Sequence, residues 1–171
     1  CNSIAKMVLP FVGAYADGSG DENIGYIFGV KDWLKQEFKV PNTLKTVVLI
    51  KGVTKVGDYA FYDCTSIEKI IIPESVTSIG WEAFYNCDGI RNINLPASVA
   101  SISMGAFRTC SSLTSINIPC GLTDLSSQMF YHSGLINVVI PEGVTSIGYE
   151  AFGSCSSLTS VTIPASMTSI G

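Results

Sequence analysis

Five phenylalanines, Phe61, Phe84, Phe107, Phe130 and Phe152, recur at spacings of 23, 23, 23 and 22 residues, and Pro73, Pro96, Pro119, Pro141 and Pro164 recur at 23, 23, 22 and 23. A chain with such a period is an array of one supersecondary unit. The unit cannot bury its apolar side alone and gains a core only by stacking on its neighbours. Both series share one short step, where "YHSGL" (131–135) stands in for "RTCSSL" (108–113), a one-residue deletion in the link between two units. Written from its Cys, the unit reads C-x-S-L-x-x-I-x-I-P-x-S-V-x-S-I-G-x-x-A-F-x-x.

Each unit contains L-x-x-I-x-I, as in Leu113, Ile116 and Ile118, whose last three positions alternate as a strand with one buried face requires. A second β-prone run follows, "SVTSIG" at 75–80, and then "WEAFYNC" (81–87), turn-like and too short for a stable isolated helix. The fold class is therefore mostly β: a solenoid of 23-residue coils with short helical turns, sharing Ile, Val, Ala and Phe columns along its axis. At about 4.8 Å between strands, the complete coils predict a curved rod on the order of 30 Å long. Pro at the end of nearly every strand lacks an N–H, so it ends the ladder and turns the chain.

Cys1, Ser3, Ile4, Lys6, Met7, Leu9 and Pro10 fall on Cys64, Ser66, Ile67, Lys69, Ile70, Ile72 and Pro73, so the expectation is a chain that opens inside a repeat. It also closes inside one, since "MTSIG" (167–171) repeats "VTSIG" (144–148) without the A-F half. Residues 1–171 are accordingly read as one solenoid domain cut from a longer array. A lipidated Cys1 is disfavoured, because its column points into the core elsewhere. Residues 11–40 form the one insertion, carrying Phe11, Tyr15, Tyr26, Phe28, Trp33 and Phe38, which is too aromatic for a floppy linker and is expected to pack on the solenoid. Asp32 is placed to cap a short helix over 33–39, stopped before Pro41.

Composition narrows the function classes. The chain is 47% hydrophobic and 14% charged, an ordered globular composition, and no apolar run approaches the roughly 18 residues of a membrane span. A net charge of −4 with no Lys/Arg cluster leaves no source for the counterion release that drives nucleic-acid binding. Five of the six cysteines, Cys1, Cys64, Cys87, Cys110 and Cys155, share one column. Parallel side chains about 4.8 Å apart fit a disulfide poorly, so they read as buried free thiols, with Cys120 a free surface thiol. No zinc-type clustering of Cys or His is present. His132, the single histidine, sits at the deletion and reads as a tolerated surface residue, with no spacing that singles out a nucleophile beside it. "DGSGDEN" (17–23) alternates oxygen ligands like a calcium loop, but Glu22 stands at the obligatory Gly position and Phe28 at the bidentate Glu position, so a solvated loop is expected.

The segments "CSSLTSVTIPASMTSIG" (155–171) and "PEGVTSIGYEAF" (141–152) resemble the BspA-like leucine-rich repeats, and the resemblance covers nearly the whole chain, including "GYIFG" (25–29) in its atypical opening. It implies a right-handed leucine-rich-repeat solenoid from a surface or secreted protein of a host-associated, typically anaerobic, bacterium. The implied role is adhesion or partner binding, extracellular or at the cell surface, by a protein that is monomeric when whole. It brings no catalytic residues and no cofactor.

In such repeats the strand face opposite the core is the usual binding surface. Its central outward row runs Val8, Val48, Ile71, Asn94, Asn117, Val139 and Thr162, flanked by Lys69 and Asn92 among others. The candidate ligand-binding residues are thus Val8, Val48, Lys69, Ile71, Asn92, Asn94, Asn117 and Val139, for a protein or glycan partner such as host matrix or a cell surface. Val8, Val48 and Ile71 make an apolar strip that needs a cover, either a ligand or the insertion. The alternative is a rigid spacer with no ligand, which the even Ser/Thr/Asn face after residue 90 favours.

Overall fold

The structure, a computed structural model, describes residues 3–10, 24–28 and 40–171. Cys1, the 17–23 loop and the helix expected over 33–39 lie outside the described residues.

Each coil contributes one strand to each of two parallel ladders. The first ladder holds β1 (Lys6–Leu9), β2 (Thr46–Leu49), β4 (Lys69–Ile71), β6 (Asn92–Ile93), β8 (Ser115–Ile116), β10 (Asn137–Val139) and β12 (Ser160–Thr162). The second holds β3 (Lys55–Val56), β5 (Ser78–Ile79), β7 (Ser101–Ile102), β9 (Asp124–Leu125), β11 (Ser146–Ile147) and β13 (Ser169–Ile170). Register is set by the apolar alternation, because a slip of one residue would turn every core side chain outward. Val47 therefore pairs with Ile70, and Ile79 with Ile102, one coil to the next. Between the ladders the Pro carbonyl closes a tight turn, accepting from the Val three residues on, as in Val76 N–H to Pro73 O at 3.0 Å and Val99 N–H to Pro96 O at 3.1 Å.

The third side of the coil departs from the expected short helical turns. The only described helix is a 3-10 turn at Ile24–Phe28 in the insertion. The A-F segments are instead runs of tight turns with a left-handed residue on each side of the Ala-Phe pair, Met129-Phe130 in one coil: Tyr59 and Asp63, Glu82 and Asn86, Gly105 and Thr109, Gln128 and His132, Glu150 and Ser154. Left-handed residues cannot continue an α-helix. They turn alternate peptides outward, so that the N–H groups of Tyr59, Phe61 and Asp63 donate to the carbonyls of Trp81, Ala83 and Tyr85 in the next coil at 2.7 to 2.9 Å. The same three-bond pattern joins the following coils, and so this side too is a hydrogen-bonded ladder.

The core is built of columns. The rings of Phe61, Phe84, Phe107, Phe130 and Phe152 stack with centroids 5.1 to 5.7 Å apart and planes within 17° of parallel. Cys64, Cys87 and Cys110 are fully buried beside them. Their column is held by thiol donation to backbone: Cys87 Sγ to Phe61 O at 3.0 Å, Cys110 Sγ to Phe84 O at 2.9 Å, and Cys155 Sγ to Phe130 O at 3.0 Å. At the deletion Ser133 takes the Cys place, buried, with its Oγ 3.3 Å from Cys155 Sγ.

The described part of the insertion packs on the solenoid. Ile24 is fully buried and its N–H donates to Ala60 O at 2.8 Å, the bond that Phe61 makes to Ala83 one coil later. Counting one period back from Phe61 lands on residue 38, yet Ile24 fills the Phe place. Sequence spacing alone misses this, because an insertion destroys the count.

Candidate functional site

On the first ladder the structure brings Val8, Val48 and Ile71 side by side, in register across β1, β2 and β4. Val8 is 56% and Ile71 42% exposed, with Val48 half-buried between them. Lys69 stands in the flanking row opposite Thr46, which in turn pairs with Lys6. Lys45, exposed near this row, reaches Glu68 at 3.2 Å, a solvated pair of little energetic weight.

The remaining candidates fall into separate groups, because the ladder is interrupted between β4 and β6 and again between β8 and β10. Asn92 pairs with Ser115 across β6 and β8. Asn94 and Asn117 lie just beyond the ends of those strands, both exposed. The Asn117 amide is engaged in the fold: its Oδ1 accepts from Leu95 N–H and its Nδ2 donates to Leu95 O, each at 2.7 Å. Val139, 68% exposed, pairs with Thr162 across β10 and β12.

The other candidates from the sequence resolve in structural terms. His132 is exposed, left-handed, and bonded through its N–H to Gly153 O at 2.8 Å, a position that Asp63, Asn86, Thr109 and Ser154 hold in the other coils. Cys87, Cys110, Cys120 and Cys155 are free thiols, and Cys120 is the exposed one. Burial pushes the Cys64 and Cys87 thiols well up and that of Cys110 up to about 12, which withholds the reactive thiolate. No group of three His, Cys, Asp or Glu side chains able to hold a metal ion occurs among the described residues. No described helix is long and apolar enough to cross a membrane.

The turn side carries an aromatic surface that the sequence reading passed over. The Tyr62 and Tyr85 rings stack at 4.4 Å, the Arg108 guanidinium lies 6.0 Å from the Tyr85 ring and 5.4 Å from that of Tyr131, and Tyr59 packs beside Trp81 at 5.8 Å. Arg108 also approaches Glu82 at 3.8 Å. Burial pushes the Glu82 carboxyl up, against the pull of Arg108.

A second feature missed from the sequence is a cavity of about 800 Å³ along the second ladder, lined by Ser103 and Met104, residues 123–127, Thr145 to Gly148, and Ser169 to Gly171. The signal was present: Ser103 and Ser126 replace the consensus Gly, and Met129 replaces the consensus Ala.

Comparison with known proteins agrees with this architecture. The BspA type leucine-rich repeat region model matches in 6 copies, over residues 34–152 and 123–171. Among solved structures, the T. pallidum leucine-rich-repeat protein is 33% identical with a TM-score of 0.66, covering 74% of this chain and 68% of that one. A leucine-rich-repeat protein from Bacteroides ovatus is 26% identical with a TM-score of 0.65, covering 97% and 47%. One from Eubacterium ventriosum, 20% identical with a TM-score of 0.67, covers 95% and 40% and shares the fold. The chain thus spans about two thirds of the treponemal protein and less than half of the other two. No curated protein matches it. With six copies of the repeat model along most of its length, the chain belongs to the BspA-type leucine-rich-repeat family.

Proposed function

We propose that this chain is a non-enzymatic binding module of an extracellular or cell-surface protein, and that it contacts a protein or glycan partner through the outer face of the first ladder. The observation that carries this reading is the contiguity of Val8, Val48 and Ile71. Two of these three apolar side chains in register are left largely in water. A parallel ladder is stable without apolar residues on its outer face, so such a strip favours a partner. The test is binding of the chain to matrix proteins, mucins and a glycan array, beside a Val8→Asp/Ile71→Asp variant whose circular dichroism matches the parent. Saturable binding lost in the variant supports the reading, and binding that survives both substitutions removes it.

The rigid-spacer reading is favoured by Asn117, whose side chain ties one coil to the next. Absence of binding by either protein would support it.

A further inference from the structure

The second ladder is broken at one place: β3, β5 and β7 form one sheet, β9, β11 and β13 another, and β7 does not pair with β9. In the unbroken coils the residue after the strand donates its main-chain N–H backward, as in Gly80 to Val56 O at 2.8 Å, Ser103 to Ile79 O at 2.9 Å, Gly148 to Leu125 O at 2.7 Å and Gly171 to Ile147 O at 2.9 Å. At the break the Ser126 hydroxyl, not its N–H, donates to Ile102 O.

Two departures from the repeat meet in this coil. Gly148 packs directly on the preceding coil, where an added Cβ would come within 2.6 Å of Ser127 N, and Gly80 is equally tight against Asp58 N at 2.5 Å. Ser126 carries a Cβ at this point, as Ser103 does in a coil that still pairs, so the Cβ alone does not part the strands. Met129, fully buried, also occupies the column of Ala60, Ala83, Ala106 and Ala151, so more volume enters the core of this coil than its neighbours hold.

The cavity is an open groove that runs from this break across the following coils. Asp124, Ser146 and Ser169 stand in register on its floor, and Ser127 and Thr145 add further hydroxyls. Asp124 is the one charged residue in the lining, and no Lys or Arg is among it. An anionic ligand would therefore meet a carboxylate and no cation, and a purely apolar one would strand the hydroxyls. Met104 and Ile170, both exposed, add apolar surface to the lining. The volume of about 800 Å³ lies within the range of small-ligand sites.

We propose that this groove binds a neutral oligosaccharide: ring hydroxyls bond to Asp124, Ser146 and Ser169, and the C–H face of a sugar packs on Met104 and Ile170. The site lies on the other ladder from Val8 and Ile71 and does not depend on binding there.

The test is titration of the chain with mannotriose, cellotriose and N-acetylchitotriose, and with sialyllactose as an anionic control, read by amide chemical shifts and calorimetry. At least one neutral trisaccharide is expected to bind and to shift the amides of Asp124, Ser146 and Ser169, with sialyllactose at least tenfold weaker. Asp124→Ala and Met104→Ala should each weaken binding at least tenfold. Ser126→Gly/Met129→Ala, which restores the consensus at the break, should abolish it in a folded protein. Val8→Asp/Ile71→Asp should leave it unchanged, so that failure of the strand-face reading is seen separately. No shift with any neutral probe, equal binding of sialyllactose, or indifference to Asp124→Ala overturns the proposal.

Discussion

The Phe84 and Phe107 rings lie 6° from parallel with centroids 5.1 Å apart, so that each coil hands its aromatic plane to the next. This contact is both the spacer of the coils and a large part of the core, since both rings are buried to within 1%. Phe107→Ala is expected to destabilise the chain by about 3 to 5 kcal/mol, the cost of a mid-column cavity that neighbouring rings cannot close. Urea titration measures it. A loss under about 1 kcal/mol would be incompatible with a buried column.

Thiol chemistry should separate the cysteines by place. In the folded chain Cys120 reacts rapidly with a disulfide reagent and half-buried Cys155 slowly, while Cys64, Cys87 and Cys110 stay silent until denaturant is added. Under denaturant close to six thiols are expected from the six cysteines. Four or fewer would mean that some of them are paired.

The same burial has a pH consequence. A thiol whose folded value is raised is protonated in both states below its ordinary value of 9.0, so its contribution to stability is fully present there. Above that pH the unfolded chain ionises and the folded one does not. Stability should therefore fall from about pH 9 towards pH 12, by up to about 1.4 kcal/mol per pH unit for each buried thiol. Cys110→Ala, compared with the parent across that window by denaturant titration, should show a shallower decline.

Asn117→Ala removes both bonds to Leu95 and is expected to cost about 1 to 2 kcal/mol in denaturant titration, although the side chain is exposed. Asn117→Asp keeps the acceptor for Leu95 N–H but loses the donor to Leu95 O, and should fall at or below the Ala variant. A pure ligand residue would show no such cost.

His132 is predicted to act through its backbone alone. At φ +56°, His132→Asn should leave the thermal midpoint unchanged, because Asn tolerates the left-handed region, whereas His132→Val should cost about 1 to 2 kcal/mol. An equal effect of the two substitutions would point to a side-chain role.

The repeat period determined most of this protein before any coordinates. Phe and Pro spacing fixed the coil length, the alternation of Ile116 and Ile118 assigned the buried strand face, and the Cys column was placed inside. These are legible because each is a local pattern copied in every coil, so that errors at one position are corrected at the next. The tertiary structure decided what the copies cannot express. It gave the Phe place of the first coil to Ile24 across an insertion, turned the A-F segments into left-handed turns, and spent the Asn117 amide on Leu95. It also opened the second ladder at Ser126 and Met129. Each of these depends on how one coil seats against another, a matter of volumes and bond geometry between residues about a period apart or more. A pattern read along the chain carries the period but not the fit.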